Sequence, residues 1–331
     1  AFEEAVARYT KILETPTDPS VEEQVLYRLG LTYHNMKDYD NSAKTLTTLV
    51  EKYPETLHRE ESLFRIAEHA LKVAEEPIDA VALYKALIEA APEGEYAGRA
   101  HLGLALAHYA HKDFAEAADL FYAIMTTMPT ISLSEEVYNW TGQWFYDNEK
   151  WAEAVRTFDV FLTGMPAYPY ADQIRFKIAE CSEKAGDMEK AIAGYTELAG
   201  SEAVSELSTR ARWQLAKIYE ANEDIESAIQ WYEAAASSSD SDISARARFQ
   251  LGALYEGQKD YAKAARSFML IDILFIHEEL SPEALWRAGN CYKQLDQGDK
   301  ARKIYADLIE GYPESAFAAQ AREALAADGV S

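Results

Sequence analysis

The sequence predicts an all-α fold: an α-solenoid of about eight helix–turn–helix repeats, with a partial repeat before them and a capping helix after them. Three observations predict it. A small residue recurs at Gly30, Ala67, Ala105, Gly142, Ala179, Ala216, Gly252 and Gly289, at intervals of 37, 38, 37, 37, 37, 36 and 37 residues. A fixed pattern follows these anchors: a Tyr or similar residue three places on, a small residue about twelve on, and an aromatic or Leu sixteen on. Apolar residues fall at three- and four-residue intervals on both sides of a short polar turn, which reads as two amphipathic helices.

The elements follow in order. Phe2, Ala5 and Tyr9 fit the second helix of a repeat whose first half is missing, over residues 1–16. The chain thus reads as a segment of a longer protein, or as one whose upstream part was removed. Eight full repeats occupy 22–315. Their first helices carry the motifs YRLGLTY at 27–33, WQLAKIY at 213–219, FQLGALY at 249–255 and WRAGNCY at 286–292. The turns carry Asp38, Asp113, Asp187, Asp224 and Asp260, each suited to cap the second helix. Pro54, Pro92, Pro129, Pro166 and Pro313 end second helices, because Pro cannot continue one. The small anchors, with Ser42, Ala80, Ala117, Ala154, Ala191, Ala228, Ala264 and Ala301 opposite them, let paired helices approach closely. Residues 316–327 read as the capping helix. Length alone favours two domains, but a solenoid grows by addition, so 1–331 is expected to be a single array.

This pattern resembles the tetratricopeptide repeat over nearly the whole chain. The resemblance implies a right-handed superhelix whose first helices line a concave groove. The period exceeds the usual 34 by about three residues, mostly in the loop after the Pro, with a further residue around Val73 to Pro77 in the second repeat. The Tyr-Pro-Glu-Ser/Thr junctions at 53 and 312 resemble those of bacterial cell-envelope proteins. Examples are the periplasmic coordinator associated with the Tol-Pal system and the lipoprotein subunit of the outer-membrane β-barrel assembly machinery. That resemblance implies a periplasmic or envelope-associated protein rather than a cytoplasmic one.

Composition narrows the function. The formal net charge is −24, from 56 acidic and 32 basic residues, which argues against nucleic acid and anionic membrane surfaces as partners. No stretch is long and apolar enough for membrane insertion. The longest apolar run, 268–276, reads as a helix buried on both sides, with self-association through an exposed strip as the alternative. Cys181 and Cys291 share one inward slot three repeats apart, too far for a disulfide, and read as buried thiols. His101, His108 and His111 cluster, but His108 stands where other repeats place a packing Tyr, so no metal is expected. The stretch 237–242 lacks the pattern of a calcium loop and reads as a flexible junction. No phosphate loop, nucleophile elbow or metalloprotease motif occurs, so no cofactor and no catalysis are expected.

Candidate partner-binding residues lie three places before each anchor, where the resemblance implies a groove-facing position. Tyr27, Phe64, Phe176, Trp213, Phe249 and Trp286 form an aromatic ladder there, edged by Arg65, Arg175, Arg212, Arg248 and Arg287. The competing reading is that these rings are core. The fourth repeat offers a second patch at Asn139, Gln143 and Tyr146. The Lys/Asn/Arg clamp with which some of the family hold a C-terminal carboxylate does not assemble. The sequence reading is therefore a non-catalytic scaffold that docks protein or peptide segments, of which a bacterial envelope-assembly adaptor is the narrower form. The alternatives are a self-assembling structural array, or the repeat region of a larger enzyme.

Overall fold

A computed structural model describes residues 2–15, 18–73, 78–200, 205–237 and 241–328. The described residues form eighteen helices and no strand. The chain divides into two compact units, Ala1–Met165 and Pro166–Ser331.

In the first unit, α1 (Phe2–Leu13) precedes four pairs: α2 (Pro19–Asn35) with α3 (Tyr39–Lys52), α4 (Arg59–Val73) with α5 (Ile78–Ala90), α6 (Ala97–Ala110) with α7 (Phe114–Thr127), and α8 (Glu135–Asp147) with α9 (Trp151–Gly164). In the second, four pairs precede a last helix: α10 (Ala171–Lys184) with α11 (Met188–Ala199), α12 (Glu206–Ala221) with α13 (Ile225–Ala236), α14 (Ser241–Gly257) with α15 (Tyr261–Phe275), α16 (Ser281–Gln294) with α17 (Gly298–Gly311), then α18 (Ala316–Asp328). Within each unit every helix packs on the next in sequence.

One residue closes the first helix of a pair and opens the second. In seven hairpins the residue before it is left-handed: Lys37, Lys112, Glu149, Gly186, Glu223, Lys259 and Asp296. That turn lets the next amide reach back to a carbonyl of the first helix, as from Asp38 to Tyr33 (3.0 Å), Asp224 to Tyr219 (3.0 Å) and Asp260 to Tyr255 (2.9 Å). The same Asp then caps the following helix: Asp38, Asp187, Asp224 and Asp260 accept from the amides of Asn41, Lys190, Ser227 and Lys263. Asp113 departs from this expectation. Its carboxylate makes no cap bond and lies 3.4 Å from Nδ1 of buried His108, which stands in the place of a packing Tyr.

Second helices stop before Pro as expected. Tyr53, Met128, Met165 and Tyr312 each precede one and have left helical geometry, with φ between −125° and −135°. The glycine anchors give room for a side chain of the facing helix. What lies against them is the side chain sixteen places on rather than the opposing backbone. A methyl group added at Gly142, Gly252 or Gly289 would sit 2.3, 2.5 or 2.2 Å from the ring of Phe158, Phe268 or Tyr305. The Ser42 hydroxyl bonds the Gly30 carbonyl at 2.8 Å, so this buried polar atom is satisfied by the anchor itself.

Cys181 and Cys291 are buried free thiols, pushed up to about 12 and about 11 by burial. The 268–276 run divides: Phe268 and Ile271 are fully buried, whereas Ile273, Leu274 and Ile276 are 62%, 53% and 72% exposed. The expected burial therefore holds for the first part of the run, and the last part is exposed. Of the expected junction, residues 238–240 lie outside the described residues, and Asp242 already belongs to α14. The insertion in the second repeat also falls largely outside them, at 74–77. Among the described residues no helix is long and apolar enough to cross a membrane.

Candidate partner-docking surface

The aromatic ladder is built into the packing between helices. Phe64, Phe176, Trp213, Phe249 and Trp286 lie 6.3, 5.5, 5.3, 5.6 and 5.2 Å from the rings of Tyr84, Tyr195, Tyr232, Phe268 and Tyr305 on their own second helices. An arginine from the following repeat covers several: Arg99 lies 4.3 Å from Phe64, Arg210 4.6 Å from Phe176 and Arg287 5.3 Å from Phe249. Phe64 and Phe176 are buried, and the other ladder rings are half-buried. Tyr27 stacks on His58 at 3.6 Å and donates to Glu61 at 2.5 Å. The flanking arginines are also engaged. Arg65 pairs with Glu61, Arg287 with Glu256, Arg175 with Asp172, and Arg212 donates to the Ala199 carbonyl.

The fourth-repeat residues are half-buried on α8. Gln143 donates to Asp147 at 2.7 Å, and Tyr146 meets Trp151 edge-on at 5.4 Å. Asn139 is partnered as well.

An opening sits beside them, one turn along. Leu106 and Tyr109 on α6, Phe121 on α7, and Glu136, Val137 and Trp140 on α8 surround a cavity of about 340 Å³. Trp140 is its centre: Tyr109, Phe114 and Phe121 meet that indole at 4.8, 5.9 and 6.0 Å, in edge-on arrangements. Leu106, Tyr109 and Phe114 are 36%, 43% and 40% exposed, so apolar surface remains open to an incoming group. Glu136 is the charged residue of the lining, and the Ser134 hydroxyl holds its carboxyl below the usual value. Chemically this is an apolar socket with one carboxylate at its edge.

Sequence reasoning missed this socket because it followed the recurring aromatics. The signal was a departure from recurrence. Four places after the anchor, the fifth to seventh repeats carry Glu183, Glu220 and Glu256, whereas the third and fourth carry Tyr109 and Tyr146.

Comparison with known proteins decides the family. Tetratricopeptide repeat models match residues 24–56 and 283–315, and 62–126 and 183–243. The chain is a tetratricopeptide repeat protein. Proteins of this family bind protein or peptide partners. No curated protein matches the sequence. Among solved structures, this tetratricopeptide chain is similar to that of Naa15/Naa10 bound to HypK-THB, at 17% identity and a TM-score of 0.61, over 90% of this chain and 43% of that one. The tetratricopeptide chain thus spans less than half the length of that relative, and at this identity the likeness shows the fold. It is also similar to YrrB, described as a TPR protein with an unusual peptide-binding site, at 17% identity, 0.41, 62% and 99%. Yeast Tom70 matches at 12% identity, 0.36, 99% and 92%.

Proposed function

We propose that the protein is a non-catalytic scaffold that docks a protein segment in the socket around Trp140. The observation that carries this reading is the open apolar lining of Leu106, Tyr109 and Trp140 between the first helices of successive repeats. An aromatic site of this kind takes a large apolar side chain, the type that dominates interface energetics. Charge points to the rest of the partner. Glu136 sits at the edge, and the chain carries −24 formal charges, so the segment brings Lys or Arg beside its apolar anchor. The Naa15/Naa10 and YrrB structures, each described with a bound partner or a peptide-binding site, support this class of function. An envelope-assembly adaptor is the narrower form of the same reading and rests on the Tyr-Pro-Glu junctions.

The test is a peptide-display selection on the whole chain, followed by titration of the enriched peptide against wild type, Leu106→Glu and Tyr109→Ala. Both positions are exposed, and helical circular dichroism checks that each variant is folded before titration. The expected outcome is an apolar and basic peptide whose affinity falls about tenfold or more in either variant. Peptides that bind both variants unchanged place docking elsewhere. Mass in solution, measured across a concentration series in the same preparation, separates this from a self-assembling array joined through exposed Ile273, Leu274 and Ile276.

A further inference from the structure

The second unit holds a cavity of opposite character. About 500 Å³ open between α13, α14 and α15, where Arg248, Lys263 and Arg266 converge with Glu233 and Tyr255. A convergence of three cations stands out in a chain with 56 acidic and 32 basic residues.

The preceding repeat supplies an internal control. Arg212 stands four places before its anchor, as Arg248 does before Gly252. Arg212 turns both Nε and Nη2 onto the Ala199 carbonyl, at 3.2 and 3.0 Å, and so closes the C-terminus of α11. Arg248 does the same for α13 with Nη2 alone, at 3.1 Å from the Ala236 carbonyl. Its Nε is buried and has no hydrogen-bond partner. A buried donor on a charged group left in this state is costly.

The surroundings differ too. Where the sixth repeat has Ser227 and Gln230, the seventh has Lys263 and Arg266. Lys263 is paired with Asp260 at 3.4 Å, and Glu233 accepts from the Tyr255 hydroxyl at 2.8 Å. Arg266 has neither an ion pair nor a hydrogen bond among the described residues. Burial, and after it the like charge of Arg266, lower the pKa of the Arg248 guanidinium. A helix-closing role explains Arg248 Nη2. It explains neither the orphaned Nε nor a second arginine set against the first.

We infer that this cavity binds a phosphate-class oxyanion between Arg248 and Arg266. A dianionic tetrahedral group answers two guanidinium groups at once, accepts from the unmet Nε–H, and relieves the repulsion between the two side chains. The site is separate from the Trp140 socket and does not depend on it.

The test is calorimetric titration of the whole chain with sodium phosphate, at ionic strength held constant with sodium chloride. Wild type is compared with Arg266→Gln, which installs the residue the neighbouring repeat already carries. The expected result is phosphate binding in wild type that weakens about tenfold or more in the variant. Thermal unfolding of the two without phosphate should be alike, because Arg266 is exposed. A phosphoserine peptide and its unphosphorylated twin form a second arm. Tighter binding of the phosphopeptide than of inorganic phosphate assigns the site to a modified partner, and equal or weaker binding assigns it to a small anion. No phosphate-specific heat in wild type, or equal phosphate affinity in the two proteins, overturns the proposal.

Discussion

The hydroxyl of Tyr232, buried between α12 and α13, donates to the carboxylate of Glu220 at 2.6 Å. Tyr195 and Glu183 repeat the arrangement one repeat earlier, at 2.9 Å. Each Tyr lies sixteen places after an anchor and each Glu four places after it, so in the fifth and sixth repeats the two positions serve one another. Where the later residue is Phe121 or Phe158, with no hydroxyl to satisfy, the earlier one is Tyr109 or Tyr146. Removing the acceptor alone should therefore be the harmful change. Glu220→Ala is expected to destabilise the protein by about 1–3 kcal/mol, because a buried hydroxyl loses its partner. Adding Tyr232→Phe should recover most of that loss. A double-mutant cycle by urea unfolding reads this, and additive single effects would refute the pairing.

The left-handed turns give a pair of changes with opposite sign. Lys259 holds φ 62° and Gly186 holds φ 84° at equivalent places. A side chain is strained there, and nothing lies within 4 Å of a Cβ built at Gly186, so the effect is backbone alone. Lys259→Gly should raise stability by about 0.5–1 kcal/mol, and Gly186→Ala should lower it by a similar amount. Denaturant midpoints of the two variants check this, and shifts of the same sign would contradict it.

Alkaline pH should unfold the chain through its tyrosines. Burial, then hydrogen bonds to Glu61 and Glu233, push Tyr27 and Tyr255 up to about 12 from the ordinary 10.0. Burial raises Tyr84, Tyr195 and Tyr232 as well. A raised pKa means that the folded state favours the neutral phenol. The stability it contributes is complete below pH 10 and is lost as pH climbs through 12. Helical circular dichroism should fall across that window together with the rise of tyrosinate absorbance. Ionisation of all 21 tyrosines with full helicity retained would show that these rings are not buried as described.

The array was legible in the sequence because each of its signals repeats, and chance agreement at one position is diluted by seven others. Helix starts, Pro stops and anchors all fall where the pattern puts them. What covers a ring was less legible. The aromatics three before each anchor were visible, but Arg99 and Arg210, which lie over Phe64 and Phe176, come from the next repeat at a place with no regular residue type. Arg248 was similarly read as the edge of a groove, whereas its neighbours are Ala236, twelve residues back, and Arg266, eighteen on. A period reports what all repeats share. The two proposed sites lie in copies that depart from it, at Tyr109 and Arg266.

The turn residue that closes one helix and caps the next also dictates where such arrays tolerate recombination. From anchor to turn is eight residues in seven of the eight repeats, as from Gly30 to Asp38, Ala105 to Asp113, Ala216 to Asp224 and Gly252 to Asp260, the exception being the second repeat with its extra residue. The two hydrogen bonds at that residue tie both helices to one register, so an insertion there breaks both ends at once. After the Pro the bonds across the loop are short turns and single side-chain donations, as from Arg59 to the Pro54 carbonyl and Arg322 to the Pro313 carbonyl, so a length change there leaves the caps of both helices in place. Gene duplication or deletion with crossover points in the Pro loops therefore adds or removes whole cassettes with their internal geometry intact, and crossover inside the hairpin does not.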